Sequence, residues 1–293
     1  MTIGIGVVGV GKMGSCMALN LLKKYIVYVY DINKKVQADL VKQGAIGCSN
    51  LTELCINASY IITMLQTSRQ VEMVYISKAG ILNNCSDHTI LIDCSSINIK
   101  TSIKLHSIAM KKNISMIDAP VSGGVIGAQE GTLTFMVGGK KEDYNKALPI
   151  LLSMGKKAIY AGKAGNGQAS KICNNMLLGI TMIGVCEAFL LAKKLGVDPL
   201  TFFNICQHSS SKCWIITDYL PIKNVISNVP ANDHFKPGFT SQLMLKDLLL
   251  SQDAARITKI NTTMGKTATK LYKKFVSLGN KNLDFSGIIT MLQ

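Results

Sequence analysis

"GVVGVGKMGSCMALNLL", residues 6–22, decides the fold. A run of β-branched residues stops at Gly9, and an apolar-periodic stretch opens at Lys12. Between them lies Gly9-Val10-Gly11-Lys12-Met13-Gly14, a G-x-G-x-x-G pattern. Alone that pattern is common. Here it follows a strand pattern, "IGIGVVG" (3–9), and starts a helix, which is the context that gives it meaning. The next strand pattern, "IVYVYD" (26–31), ends in Asp31, 22 residues after Gly9. A dinucleotide fold places there the acid that hydrogen-bonds the adenosine ribose hydroxyls. Glycines let the backbone turn tightly and approach a pyrophosphate, whose charge meets the helix N-terminus. Gly9, Gly11, Lys12, Met13, Gly14 and Asp31 are therefore expected to bind cofactor. A carboxylate at 31 repels the 2′-phosphate of NADP, so the expected cofactor is NAD. Lys34 and Lys35 follow closely and keep NADP as the lesser alternative.

Outward from this unit, strand patterns recur at 60–65, 89–94, 115–121, 133–139 and 157–162, with helical patterns at 12–24, 34–43 and 99–110. Continuous apolar strands joined by helices imply a mainly parallel sheet covered on both faces. After residue 162 strand signals stop, and a long helix is expected from near Gly167. The reading is an α/β chain: a Rossmann-type dinucleotide-binding domain over 1–162, then an all-α C-terminal domain over 163–293 that begins with the interdomain helix. The stretch 220–239 is rich in Pro, Asn and Gly and is expected to be a surface loop.

The formal charge is +15, but lysines are scattered in pairs and Arg69 and Arg256 are the only arginines. Nucleic-acid sites concentrate charge in a stripe, usually with arginine, so none is expected. Nine cysteines without C-x-x-C spacing and four histidines outside any ligand pattern argue against structural zinc and a disulfide framework. No metal is expected, and free thiols suit a reducing compartment. The N-terminus carries no signal- or transit-peptide pattern, so the expectation is cytoplasmic, with the mitochondrial matrix as alternative for a processed chain. The apolar run 176–192 approaches membrane-spanning length but contains Glu187, and is read as a buried central helix.

Just before that run stand Lys171 and Asn175, four residues apart and so on one helix face. A lysine there ordinarily lays its stem on apolar surface and sends its charge to water. The flanking segments point elsewhere. "DAPVSGGVIGAQEGTLTFMVGG" (118–139), "GKAGNGQASKICNNMLLG" (162–179) and "FTSQLMLKDLLLSQDAA" (239–255), with the opening stretch, resemble the β-hydroxyacid dehydrogenase family. "ITML" (62–65), "CW" (213–214) and "DFSGII" (284–289) fit in the same order, so the likeness spans essentially the whole chain. The resemblance implies that Lys171 is the catalytic acid/base and that Asn175 helps hold substrate. It implies that Ser122, Gly123 and Gly124 grip the substrate carboxylate. It also places Leu65 and Ser96 on the nicotinamide side, counts Gln66 and Gln70 among the cofactor-binding residues, and brings Lys246, followed by Asp247, toward the cofactor from the second domain. An active site between the domains and a homodimer or homotetramer are implied too.

There are departures. Gln66 stands where the family usually has proline, which should loosen its loop; Gln70 replaces an asparagine, Ser96 a threonine and Leu249 a glycine. None removes a reacting group. The implied reaction is reversible oxidation of a β-hydroxyacid, 3-hydroxyisobutyrate to methylmalonate semialdehyde in valine catabolism being the first expectation. The rivals are an NAD(P)H-dependent reductase of tartronate, glyoxylate or succinic semialdehyde, and a non-catalytic interaction protein that kept the fold. The chemistry needs an amine that is neutral when the hydroxyl gives up its proton. An apolar helix and a positive nicotinamide ring both favour the neutral lysine. Trp214 and the four histidines are given no role in the site.

Overall fold

All five residues of β1 (Gly4–Val8) are buried, as a central parallel strand must be. The computed structural model describes residues 3–293. Around β1 the chain lays down β2 (Ile26–Tyr30), β3 (Ile46–Gly47), β4 (Tyr60–Thr63), β5 (Ile90–Asp93), β6 (Ser115–Asp118), β7 (Val121–Ser122), β8 (Leu133–Gly139) and β9 (Gly155–Gly162). They form one sheet in the order β3-β2-β1-β4-β5-β6-β8-β7, with β9 paired to β8. The ladder is parallel from β3 to β6 and turns antiparallel where β8 meets β6. The 3-2-1-4-5-6 order reverses between β1 and β4, the switch point where doubly wound sheets bind dinucleotides. Neighbouring residues on one strand feed opposite cores: Ile62, Ile92 and Ile117 join one cluster, Ile61, Leu91 and Met116 the other. The expected coverage of both faces follows from that alternation.

The first compact unit ends at Lys171 and the second is Ile172–Gln293. The contacts thus divide the chain inside the helix Asn166–Lys194, whereas the sequence reading put the boundary at the foot of that helix. The second unit is helical, with Ser241–Thr258 and Thr263–Ser277 packed as a pair around buried Met244, Leu248, Ala268 and Tyr272. Two expectations need correction here. The stretch 220–239 is irregular but not a surface loop, since Leu220, Val229, Ala231 and Phe235 are buried in the second unit's core. The helix Asn166–Lys194 is long and apolar enough to cross a membrane, yet only 44% of its most apolar window is buried, with Leu177 and Leu191 exposed. It is a half-buried helix with an apolar outer face rather than a fully enclosed one.

Candidate active site

The glycine-rich turn is built by three glycines with three different constraints. Gly9 sits at φ +87°, a left-handed conformation that side chains disfavour. A Cβ on Gly14 would run into the carbonyl oxygen of Gly9, so the helix Lys12–Leu22 can approach the end of β1 only with glycine there. A Cβ on Gly11 would meet no protein atom within 4 Å. Gly11 caps the helix with no side-chain hydrogen bond, and Gly11 and Lys12 are exposed while Met13 packs against the core. Close approach of a pyrophosphate to the backbone at Gly11 fits this arrangement. Asp31 stands just after β2 with both carboxylate oxygens engaged, one accepting the Val10 N–H at 2.8 Å and the other the Asn33 N–H at 2.8 Å. The acid is thereby locked to the glycine turn. Asn20, on the same helix, donates to the Ala128 carbonyl at 2.7 Å and ties the turn's helix to the helix Gly124–Glu130. That second helix follows Ser122, at the end of β7, and two consecutive left-handed glycines, Gly123 at φ +131° and Gly124 at φ +61°.

Leu65 and Gln66 follow β4. The Leu65 N–H donates to Ser95 Oγ at 2.9 Å and the Gln66 N–H to Gln70 Oε1 at 3.2 Å. The loop that lacks the usual proline is therefore held by hydrogen bonds, which corrects the expectation that it is loose. Gln70 makes a capping box with Thr67 at the start of the helix Ser68–Ile76, its side-chain oxygen accepting the Thr67 N–H at 3.1 Å. Ser96 is half-buried just beyond β5, between fully buried Ser95 and Ile97.

Two buried carboxylates end the central strands. Asp93 and Asp118 face each other in register on β5 and β6. Asp118 Oδ1 accepts the Gly165 N–H at 2.8 Å and its Oδ2 the Gln168 N–H at 2.9 Å, fixing the foot of the helix that carries Lys171. His106 Nε2 lies 3.1 Å from Asp118 Oδ1. Gly167 is required by the same contact, since a Cβ there would meet the Asp118 carbonyl oxygen at 2.6 Å. Asp93 Oδ1 accepts Thr63 Oγ1 at 2.7 Å and the Ser95 N–H at 3.2 Å, while Oδ2 has no hydrogen-bond partner among the described residues. Burial pushes the Asp93 carboxyl up to about 6 against the pull of the Ser95 and Thr63 hydrogen bonds, and Asp118 adds repulsion. Between its ordinary value of 3.8 and about 6 the folded protein holds a proton that the unfolded chain has released. Stability is therefore lost as pH rises through that window, on the order of 3 kcal/mol by neutral pH. Asp93→Asn keeps an acceptor for Thr63 and Ser95 and removes the charge. It should melt roughly 5–10 °C above the parent at pH 7.5, the gain vanishing toward pH 4 in circular-dichroism melts. An equal gain at both pH values would refute the buried charge.

Lys171 and Asn175 lie one turn apart on the helix Asn166–Lys194, and both are buried, at 8% and 1% exposure. A snorkelling lysine would be exposed; this one is not. In the second unit Asn175 Nδ2 donates to Asp247 Oδ2 at 2.6 Å, and Asn174 Nδ2 donates to Asn175 Oδ1 at 3.1 Å. Asp247 Oδ1 is 3.4 Å from Lys246 Nζ. So Asn175, Lys246 and Asp247 form one cluster, and the side chain of Asn175 is oriented by a buried carboxylate. Among the described residues no group of three or more His, Cys, Asp or Glu could hold a metal ion.

Sequence comparisons agree with this geometry. Residues 4–162 match the family described as the NAD-binding domain of 6-phosphogluconate dehydrogenase. Residues 165–292 match the NAD-binding domain of NADP-dependent 3-hydroxyisobutyrate dehydrogenase. A probable mitochondrial 3-hydroxyisobutyrate dehydrogenase of Dictyostelium discoideum is 40% identical over 289 residues, covering 98% of this chain and 90% of the relative. The chain belongs to the 3-hydroxyisobutyrate dehydrogenase family. It is thus a β-hydroxyacid dehydrogenase with an NAD(P)-binding domain. An NAD-dependent L-serine dehydrogenase of Pseudomonas aeruginosa is 39% identical, covering 96% of this chain and 95% of that one. The structure of Mycobacterium tuberculosis 3-hydroxyisobutyrate dehydrogenase with L-serine superposes with a TM-score of 0.95 at 36% identity, over 100% of both chains.

Four residues with long-range hydrogen bonds around these elements were not singled out in the sequence: Asn20, Asp93, Asp118 and Gln168. Each is polar and buried. Asp93 and Asp118 did leave a signal, a lone carboxylate ending an apolar strand in "ILID" and "SMID".

Proposed function

We propose that this chain oxidises 3-hydroxyisobutyrate to methylmalonate semialdehyde with NAD, a step of valine breakdown, with Lys171 as general acid/base. The observation that carries the reading is the burial of Lys171, on a helix whose foot is tied to the dinucleotide-binding sheet through Asp118. NAD, when bound, supplies the hydride acceptor. Gly9, Gly11 and Gly14 would hold its pyrophosphate and Asp31 its adenosine ribose. Leu65 and Ser96 would border the nicotinamide, and Lys246 would serve as a further cofactor contact. Ser122, Gly123 and Gly124 would take the substrate carboxylate on backbone N–H groups. Lys171 accepts the hydroxyl proton during oxidation and returns it during reduction. Asn175 orients the substrate without adding charge, its own orientation set by Asp247.

L-Serine is the second reading, favoured by the Pseudomonas relative and by the Mycobacterium structure. It shares the primary alcohol and carboxylate of 3-hydroxyisobutyrate and puts an ammonium where that acid has a methyl. Measuring NAD and NADP reduction with both hydroxyacids, and cofactor oxidation with glyoxylate, tartronate semialdehyde and succinic semialdehyde, tests the choice. A higher kcat/KM for L-serine or for one of those aldehydes would overturn it.

NAD rather than NADP is supported by Asp31 and by the environment of Lys34. The Lys34 ammonium is held by Gln37 Oε1 at 3.1 Å and lies 4.6 Å from the centre of the Tyr30 ring. Asp31→Ser should weaken NAD binding by about 10- to 100-fold, the worth of a charged hydrogen bond, and leave NADP binding level or better. Fluorescence titration with both cofactors reads this, and an equal loss for both would refute the ribose assignment. Exposed Leu177 and Leu191 support a homodimer or homotetramer, which light scattering tests. The nine free thiols support a reducing compartment, the cytoplasm first.

A further inference from the structure

Gln168 is fully buried, three residues before Lys171 on the same helix. Its carboxamide straddles Ser96. Nε2 donates to the Ser95 carbonyl at 2.7 Å, and Oε1 accepts the Ile97 N–H at 3.0 Å. Loop backbone of this kind usually satisfies its polar groups with water. Here one side chain closes both, and it comes from the turn that presents Lys171. Ser95 is fixed from the other side as well, its Oγ accepting the Leu65 N–H. Ligands of doubly wound sheets lie at the carboxyl ends of the strands, which is where the 95–97 loop leaves β5.

We propose that Gln168 is a positioning residue that locks the nicotinamide-side loop 95–97 to the helical turn bearing Lys171, so that the hydride and the proton leave one substrate in a single geometry. The proposal rests on Lys171 as acid/base. The carboxamide is the right group for this task. It donates to one backbone atom and accepts from another two residues on, and no ion has to be buried. An acid could copy it only when protonated.

The test compares the parent with Gln168→Leu, Gln168→Glu and Lys171→Met. In ligand-free Gln168→Leu, hydrogen exchange at 95–98 should rise, while the melting temperature stays within about 5 °C, as for loss of one or two buried hydrogen bonds. The NAD dissociation constant and substrate KM should stay within about threefold. The kcat should fall about 10- to 100-fold, the range for a misplaced reacting group, and the isotope effect from deuterium on the carbinol carbon should grow. Gln168→Glu, assayed as aldehyde reduction relative to the parent at each pH, should recover as pH falls, because the neutral acid restores both hydrogen bonds. A kcat for Gln168→Leu within twofold of the parent overturns the proposal. So does a loss shared equally by kcat, NAD binding and melting temperature, which marks a merely structural residue. If Gln168→Leu does not fold, a Gln168→Glu activity ratio that ignores pH overturns it. Parent-like turnover by Lys171→Met removes the lysine assignment itself; an inactive Lys171→Met beside a fully active Gln168→Leu removes the Gln168 proposal alone.

Discussion

Lys171→Met should lose about three orders of magnitude in kcat in both directions, within the range that general acid–base catalysis supplies, while binding NAD as the parent does. Methionine keeps the length and apolar stem of lysine and leaves out only the amine, so the buried site stays filled. The glycine turn and Asp31 lie on other elements, so the cofactor's main contacts are untouched. Lys171→Arg should fail nearly as badly, since a guanidinium stays protonated and cannot accept the hydroxyl proton. Steady-state kinetics on 3-hydroxyisobutyrate and on L-serine, with NAD binding followed by fluorescence, read both variants. Turnover within tenfold of the parent would place the acid/base elsewhere. Asn175→Ala is a useful contrast. It leaves Asp247 buried without its amide donor, so it should cost stability as well as rate, whereas Lys171→Met should cost rate alone.

The parts of this site that lie close together in the chain were legible in the sequence. Gly9, Gly11 and Gly14 fall within six residues, and Lys171 and Asn175 within one turn, so local spacing carries their geometry. The parts that hold those pieces in place were not. Asn20 reaches a carbonyl 108 residues away, Gln168 one 73 away and Asp118 an N–H 47 away. Nothing at position 168 announces that its partner is the backbone on either side of Ser96. Gln70 shows the converse. The family likeness set it beside the cofactor, and the structure shows its oxygen closing a helix cap as well, a task that Thr67 three residues before it already hinted at.

The fold was legible to a similar depth. The seven strand patterns all became strands, because each is an apolar run long enough to cross the sheet. β3 and β7 were missed; they have two residues each, and only the ladder beside them defines them. The helices Leu51–Asn57, Ser68–Ile76 and Lys141–Leu151 were missed too. Lys141–Leu151 holds Pro149 near its end, and Leu51–Asn57 is under two turns, too short for periodicity to register. In the second unit, 220–239 has turn composition, yet five of its residues are buried. Composition reports what the backbone can do. It does not report which side chains a neighbouring helix pair will cover.

The largest effect on cofactor binding should come from the glycine turn, and it should separate into two kinds. Gly11→Ala adds a methyl that meets no protein atom within 4 Å, at φ −67°, a value any residue adopts. The ligand-free protein should therefore melt as the parent does. The methyl nevertheless stands where backbone approaches pyrophosphate, so NAD affinity should fall by about 100-fold or more, the 1–3 kcal/mol of overpacking plus the hydrogen bonds it displaces. Gly14→Ala is the opposite case. Its methyl collides with the Gly9 carbonyl, backbone against backbone, so the helix Lys12–Leu22 must back away from β1. That variant should lose both melting temperature and NAD binding, because the turn itself moves. Thermal melts without ligand and titration with NAD distinguish the two. A Gly11→Ala protein that binds NAD like the parent would mean that the pyrophosphate does not lie against that turn. The assignment of Gly9 to Gly14, and with it the whole placement of the reaction at the carboxyl ends of β1, β4 and β5, would have to be given up.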